Sequence, residues 1–224
     1  MVQRDKCRGM RGYSGNAAEL ISRYEAVPFS RKHEALIALI PPGCSRALDV
    51  GAGAGGDAGW LAERGCQVLA VEPCEEFRSH ARRRYSSPRI EWVDDCLPHL
   101  HLARRRPPFD LIMISAVWMH LDAEERSLAM PLLASMLSPG GLLYISLRHG
   151  TAPEGRVMFE VPAVEVSAAA EESGLHAILD LRRVSAQEAN RAAGVTWSQL
   201  AFVRAGTEDF LMKEFSGAPA HANR

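Results

Sequence analysis

No stretch of this 224-residue chain approaches the roughly 20 consecutive apolar residues that a membrane-crossing helix needs, so no membrane span is expected. Nor is there a Cys-x-x-Cys pair: Cys7, Cys44, Cys66, Cys74 and Cys96 are odd in number and scattered. That spacing argues against a secreted disulfide scaffold and leads us to expect free thiols in a reducing, cytoplasmic setting. Cys96, His99 and His101 lie close together but lack a fourth ligand at a usual spacing, so no metal is expected. An excess of either charge is also missing. The formal net charge of -1 gives no pull toward nucleic acid or anionic membrane. Arg82-Arg83-Arg84 and Arg104-Arg105-Arg106 read as solvated faces. Arg4, Lys6, Arg8 and Arg11 have no apolar run after them, so neither a secretory signal nor a membrane anchor is expected. There is no internal repeat and no low-complexity segment.

What remains is an ordinary globular composition, 47% hydrophobic and 24% charged, long enough for one α/β domain with a substantial core. The first dozen residues lack apolar periodicity and are expected to be mobile. Ala17, Leu20, Ile21 and Tyr24 recur at helical spacing until Pro28. Ser30 is the expected N-cap of a second helix carrying Leu36, Ile37 and Ile40, ended by Pro41-Pro42-Gly43. Strand and helix then alternate. Strands are predicted at Arg46–Val50, Gln67–Val71, Arg89–Val93, Phe109–Ser115 and Leu142–Leu147, with helices at Asp57–Arg64 and Glu75–Tyr85. Asp122, with Glu125 three residues on, is a capping-box start for a further helix reaching Leu137. Such alternation argues for a parallel sheet covered on both faces. After a helix at Ala163–Ser173, strands at His176–Leu181 and Thr196–Val203 are joined by Arg183–Gly194. That link is too short for a crossover helix, so these two are expected to pair antiparallel. Phe210, Leu211 and Phe215 predict one short helix in the tail.

The densest chemistry follows the first strand. Gly51, Gly53 and Gly56 fit Gly-x-Gly-x-x-Gly, while Gly51, Gly53 and Gly55 fit Gly-x-Gly-x-Gly. Either pattern lets the backbone turn sharply and a ligand approach closely, so the glycines alone do not choose between nucleotide cofactors. Asp57 opens the following helix, where it would repel a pyrophosphate; the ammonium and sulfonium of S-adenosylmethionine suit a carboxylate better. Its plainer role is to cap the helix dipole. Glu72 ends the second strand, 21 positions after Gly51, where a carboxylate can accept from two ribose hydroxyls. Asp94 and Asp95 follow the third strand; one of them is expected to accept from an adenine amino group, with the backbone near Cys96 against the ring.

Five stretches together carry a resemblance: Ala47-Leu48-Asp49-Val50-Gly51-Ala52-Gly53-Ala54-Gly55, Val71-Glu72-Pro73, Asp94-Asp95-Cys96-Leu97-Pro98, Phe109-Asp110-Leu111-Ile112 and Leu137-Ser138-Pro139-Gly140-Gly141-Leu142. Their order and spacing resemble the class I, Rossmann-like, S-adenosylmethionine-dependent methyltransferases. The resemblance implies a three-layer α/β sandwich on a mostly parallel seven-stranded sheet with an antiparallel last strand. It implies a cofactor held by Asp49, Gly51, Ala52, Gly53, Asp57, Glu72, Pro73, Asp94, Asp95, Cys96 and Ser115. Many members carry arginine where this chain has Gly56, so whatever that arginine contributes is absent here. The implied domain layout is an N-terminal helical extension or lid over residues 1–45, the cofactor-binding domain over 46–205, and a tail over 206–224.

The acceptor side is expected after the fourth and fifth strands. His120 is a candidate base, Trp118 a candidate stacking surface and Arg148, with Arg156, a candidate anchor for an anionic acceptor. Tyr13 is a candidate lid residue, and Tyr24 is either lid or core. The leading expectation is transfer of a methyl group to a small-molecule nucleophile at O, N or S by in-line displacement. Nucleic-acid or protein methylation, NAD-dependent oxidoreduction and non-catalytic cofactor binding are the alternatives.

Overall fold

A computed structural model describes Tyr13 and residues 17–205. The expectations of a mobile first dozen residues and of a tail helix lie outside the described residues. The sheet is organised around β1 (Arg46–Val50), flanked by β2 (Gln67–Val71) and β4 (Phe109–Ser115), with β3 (Ile90–Val93) beyond β2. β5 (Leu137–His149) pairs parallel with β4; β7 (Thr196–Arg204) and β6 (Leu175–Val184) close the other edge antiparallel. The order β3-β2-β1-β4-β5-β7-β6 reverses direction between β1 and β4. A sheet of this kind opens a crevice at the carboxyl ends of the strands at that reversal.

The central strands are mostly apolar because both faces are covered. Ala47, Leu111 and Met113 pack with α4 (Gly56–Glu63) and α5 (Glu75–Arg84) on one side. Leu48, Ile112, Ile145 and their neighbours pack with α6 (Ala123–Met136) and α7 (Ala163–Glu172) on the other. The three-layer sandwich with an antiparallel last strand matches the expected architecture. α6 starts with the capping box read from the sequence: Asp122 accepts from the Glu125 amide at 2.9 Å and Glu125 accepts from the Asp122 amide at 2.9 Å.

Two local expectations are corrected. The helix expected from Ser30 to Ile40 is two short pieces, α2 (Phe29–Lys32) and α3 (Glu34–Ile37), following α1 (Ala17–Glu25). The break is at His33, whose φ of -122° and ψ of 33° are not helical. The buried ring is held there by the Tyr144 hydroxyl at 3.0 Å and the Asp57 carboxylate at 3.0 Å. The second correction is β5, which begins at Leu137, before the Pro-Gly-Gly turn expected to precede it. A register shift between Phe109 and Leu111 absorbs that turn into the ladder. The β6–β7 connection also contains a short helix, α8 (Glu188–Ala192).

Candidate functional site

A cleft of about 860 Å³ opens at the carboxyl edge of β1, β2 and β4 and is roofed by α1 and α2. Its floor is the loop after β1. Gly51 and Gly53 take left-handed φ values of 71° and 54° there. The two glycines serve different ends. A Cβ on Gly51 would lie 2.4 Å from the Val117 side chain, so that position is closed by protein. A Cβ on Gly53 would meet nothing nearer than Tyr24 at 3.8 Å; it would project into the cleft, into space a ligand can occupy.

Beside this cradle Glu72 is 7% exposed. Its carboxylate accepts from the Gly53 amide at 2.7 Å on one oxygen and from the Cys74 amide at 2.8 Å on the other. Each oxygen therefore keeps one lone-pair direction for a further donor. Burial pushes the carboxyl up to about 7, against the pull of those amides and of Arg78. Arg78, on α5, donates to the Glu72 carbonyl at 2.6 Å and lies 3.6 Å from Asp94, tying the ends of β2 and β3 together. Sequence reasoning missed it: a single arginine in a helix carries no local mark.

Three of the acidic candidates have partners within the protein, and two of them, Asp57 and Asp95, line the cleft. Asp57 is buried, ion-paired with Lys32 at 2.7 Å and hydrogen-bonded by the His33 ring at 3.0 Å, which holds its carboxyl well below the usual range despite burial. Its negative charge is thus committed to α2, and Lys32 beside it opposes a ligand ammonium. Asp95 accepts four amides, those of Cys96 and His101 at 3.0 and 2.9 Å and those of Leu102 and Ala103 at 2.7 and 3.0 Å. Those bonds fill the four acceptor sites of a carboxylate, so Asp95 shapes the loop and has none left for an adenine amine. Asp94, with its side chain 59% exposed, faces Arg78 and does not line the cleft.

Asp49 is 1% exposed and lies beneath the loop, bonded to the Ala58 amide with Oδ2 unsatisfied; burial and the neighbouring Asp57 push its carboxyl well up. Gly51, Ala52, Gly53, Pro73, Cys96 and Ser115 line the cleft. Cys96 is disulfide-bonded, which corrects the expectation of free thiols at that position, while Cys44, Cys66 and Cys74 are free. The rings of His99 and His101 lie 5.3 Å apart, and among the described residues no cluster of three metal-type ligands forms.

At the other end of the cleft, a 3-10 turn at Trp118–His120 follows β4. Trp118 is corrected: it is 1% exposed and packed in the core between the sheet and α6, so it offers no stacking face to a ligand. His120 does reach the cleft. Its Nδ1 is 2.7 Å from the Val157 carbonyl and must donate, which leaves Nε2 to accept from the Tyr13 hydroxyl at 2.9 Å. Burial and the Arg156 charge lower the imidazole pKa, keeping the ring neutral. Burial likewise raises the Tyr13 phenol. The Arg156 guanidinium lies over the Tyr13 ring, 4.5 Å from its centre, and Arg148 lines the same end.

The roof is held by bonds between distant parts of the chain. Gln187 donates to the Arg23 carbonyl at 3.1 Å, Gln199 to the Lys32 carbonyl at 2.7 Å, and Arg183 pairs with Glu34 at 2.9 Å. Tyr24 stacks on Phe77 with ring centres 5.9 Å apart, and both line the cleft.

Residues 47–141 match a family model described as a methyltransferase domain. Rattus norvegicus glycine N-methyltransferase is 32% identical over 138 residues, covering 52% of this chain and 47% of the relative. An uncharacterised methyltransferase of Alkaliphilus oremlandii is 32% identical over 99 residues, 44% of each chain. The chain therefore spans about half the length of the curated relatives it matches. Among solved structures, the N-methyltransferase NodS from Bradyrhizobium japonicum WM9, in complex with S-adenosyl-L-homocysteine, superposes with a TM-score of 0.64 at 21% identity. The match covers 85% of this chain and 97% of NodS. Burkholderia thailandensis 1,6-didemethyltoxoflavin-N1-methyltransferase gives 0.60 at 18% identity, covering 85% and 89%.

Proposed function

We propose, from the match of residues 47–141 to a methyltransferase-domain model, that the chain is a class I S-adenosylmethionine-dependent methyltransferase acting on a small-molecule amine. The observation that carries this reading is the open cradle at Gly53 beside the half-satisfied Glu72 carboxylate, in the same cleft as the neutral Tyr13–His120 pair. When bound, S-adenosylmethionine supplies an electrophilic methyl group on a sulfonium. Nitrogen is favoured as the accepting atom because three of the four proteins named above are N-methyltransferases.

In this reading Gly53 makes room for the methionine part and Glu72 accepts from the ribose hydroxyls with its two remaining lone-pair directions. Gly51, Ala52, Pro73, Ser115 and the backbone at Cys96 form the rest of the cofactor wall, and Asp49 supports the loop from below. The 17–45 segment acts as a lid that excludes water, with Tyr24 over the cradle. Tyr13 accepts from the amine N–H through its oxygen while donating to His120 Nε2. As the nitrogen becomes cationic, its proton passes to the Tyr13 oxygen and the phenolic proton passes to His120. The protein's main contribution is alignment of the partners in a dry cleft.

The test is calorimetry with S-adenosylmethionine and with NAD, followed by a screen for S-adenosylhomocysteine formation over cell-extract fractions. We expect S-adenosylmethionine to bind, NAD not to bind, and one fraction to support turnover. Tight NAD binding alone would overturn the family's cofactor for this chain; cofactor binding without turnover in any fraction would make it a regulatory module.

A further inference from the structure

The two ends of the cleft differ in charge. The loop end holds Asp49, Asp57 and Glu72, all buried. The acceptor end holds Arg148 and Arg156, and no carboxylate among the described residues lies within 4 Å of either guanidinium. Elsewhere the chain pairs its arginines readily: Arg78 with Glu75 and Asp94, Arg106 with Glu91, Arg126 with Glu165, Arg183 with Glu34.

Both cleft arginines are nevertheless held in place. Arg148 Nη1 donates to the Gly150 carbonyl at 3.2 Å and the Thr151 carbonyl at 2.8 Å, leaving its other N–H donors free of those bonds. Arg156 rests on the Tyr13 ring. Each guanidinium is half-buried, and the charge of Arg156 adds to burial in disfavouring the Arg148 cation. Two like charges brought together on a cleft wall without a counterion are unfavourable until an anion joins them.

We propose that Arg148 and Arg156 form an oxyanion subsite, so that the methyl acceptor is a small amine carrying a carboxylate or a phosphate. The acceptor's anionic end lies between the two guanidiniums, and Tyr13 sets its reach. One face of that ring carries Arg156, while its hydroxyl meets His120, so a short molecule anchored on Arg156 brings its nitrogen to the Tyr13 oxygen. Fork-shaped guanidinium donors suit the planar carboxylate and the phosphate equally, and bidentate contact fixes orientation as well as affinity.

The inference rests on the methyl-transfer reading for the ligand's role, but its test reads anion binding directly. The full chain is saturated with S-adenosylhomocysteine and titrated by calorimetry with sodium acetate, with inorganic phosphate and with acetamide as the uncharged control. We expect acetate or phosphate to bind at least about tenfold more tightly than acetamide, the size of a charge-assisted bond. Whichever anion wins identifies the acceptor's charged group. Arg156→Gln, at a residue that anchors no hydrogen bond of the fold given above, should weaken that binding about tenfold or more while S-adenosylhomocysteine affinity holds. Arg148→Gln should do the same and serves as the second variant. Equal binding of acetate, phosphate and acetamide, or undiminished anion binding in the Arg148→Gln, Arg156→Gln double variant, overturns the subsite. Failure of S-adenosylhomocysteine itself to bind overturns the methyl-transfer reading, and anion binding to the free protein is then read on its own.

Discussion

Cofactor affinity should titrate through Glu72. Burial lifts its carboxyl from an ordinary 4.5 to about 7. The folded chain then keeps a proton that the unfolded chain releases, so this group's contribution to stability is present at low pH and is lost as pH rises through about 7. At about 1.4 kcal/mol per unit, the ionised group costs the fold about 3 kcal/mol. Ribose hydroxyls donating to both oxygens favour the ionised form and draw the pKa down again. Binding of S-adenosylhomocysteine therefore releases a proton near neutral pH, and affinity rises about 10- to 30-fold between about pH 5.5 and about pH 8. Calorimetry in two buffers of different ionisation enthalpy counts that proton. Glu72→Gln removes most of the pH dependence and weakens binding by about 1–3 kcal/mol at high pH. A flat profile in the natural protein, or the same slope in Glu72→Gln, refutes the assignment.

Gly53→Val should cost the fold only about 1–2 kcal/mol of backbone strain yet remove measurable cofactor binding, because the space its side chain enters is the cradle; near-normal affinity would disprove the cradle. Asp57→Asn should lower stability by about 3 kcal/mol, the low end for a buried pair because Lys32 is partly exposed. In the natural protein the depressed Asp57 pKa makes its contribution present at neutral pH and lost as pH falls below the ordinary carboxylate range, which acid titration of the urea midpoint reads. Trp118→Ala should cost about 3–5 kcal/mol, and an unchanged urea midpoint would show that the ring is not core.

The backbone layout was largely legible because it follows from local pattern. β1, β2 and β4 occupy the residues predicted for them, since strands covered on both faces read as runs dominated by apolar residues. The Asp122–Glu125 capping box formed because all four of its groups lie within one turn. The helix through His33 failed for the opposite reason. Its break is set by Tyr144, 111 residues away, and no periodicity near residue 33 carries that contact. Trp118 failed similarly: a large aromatic beside a site reads alike whether it faces ligand or core, and only the packing of α6 decides.

The glycine loop, the acidic end of β2 and the sheet order through Gly141 were determined by the sequence alone, because glycine freedom, strand burial and short turns are local properties. Which carboxylate is free to meet a ligand was decided only by the tertiary structure. Asp57 is taken by Lys32 and His33, Asp95 by four amides and Asp94 by Arg78, while Glu72 keeps two acceptor directions. The Tyr13–His120 contact, spanning 107 residues, likewise exists only once the chain has folded. A side chain's chemistry depends on which donors and charges surround it, and here those neighbours come from distant parts of the chain.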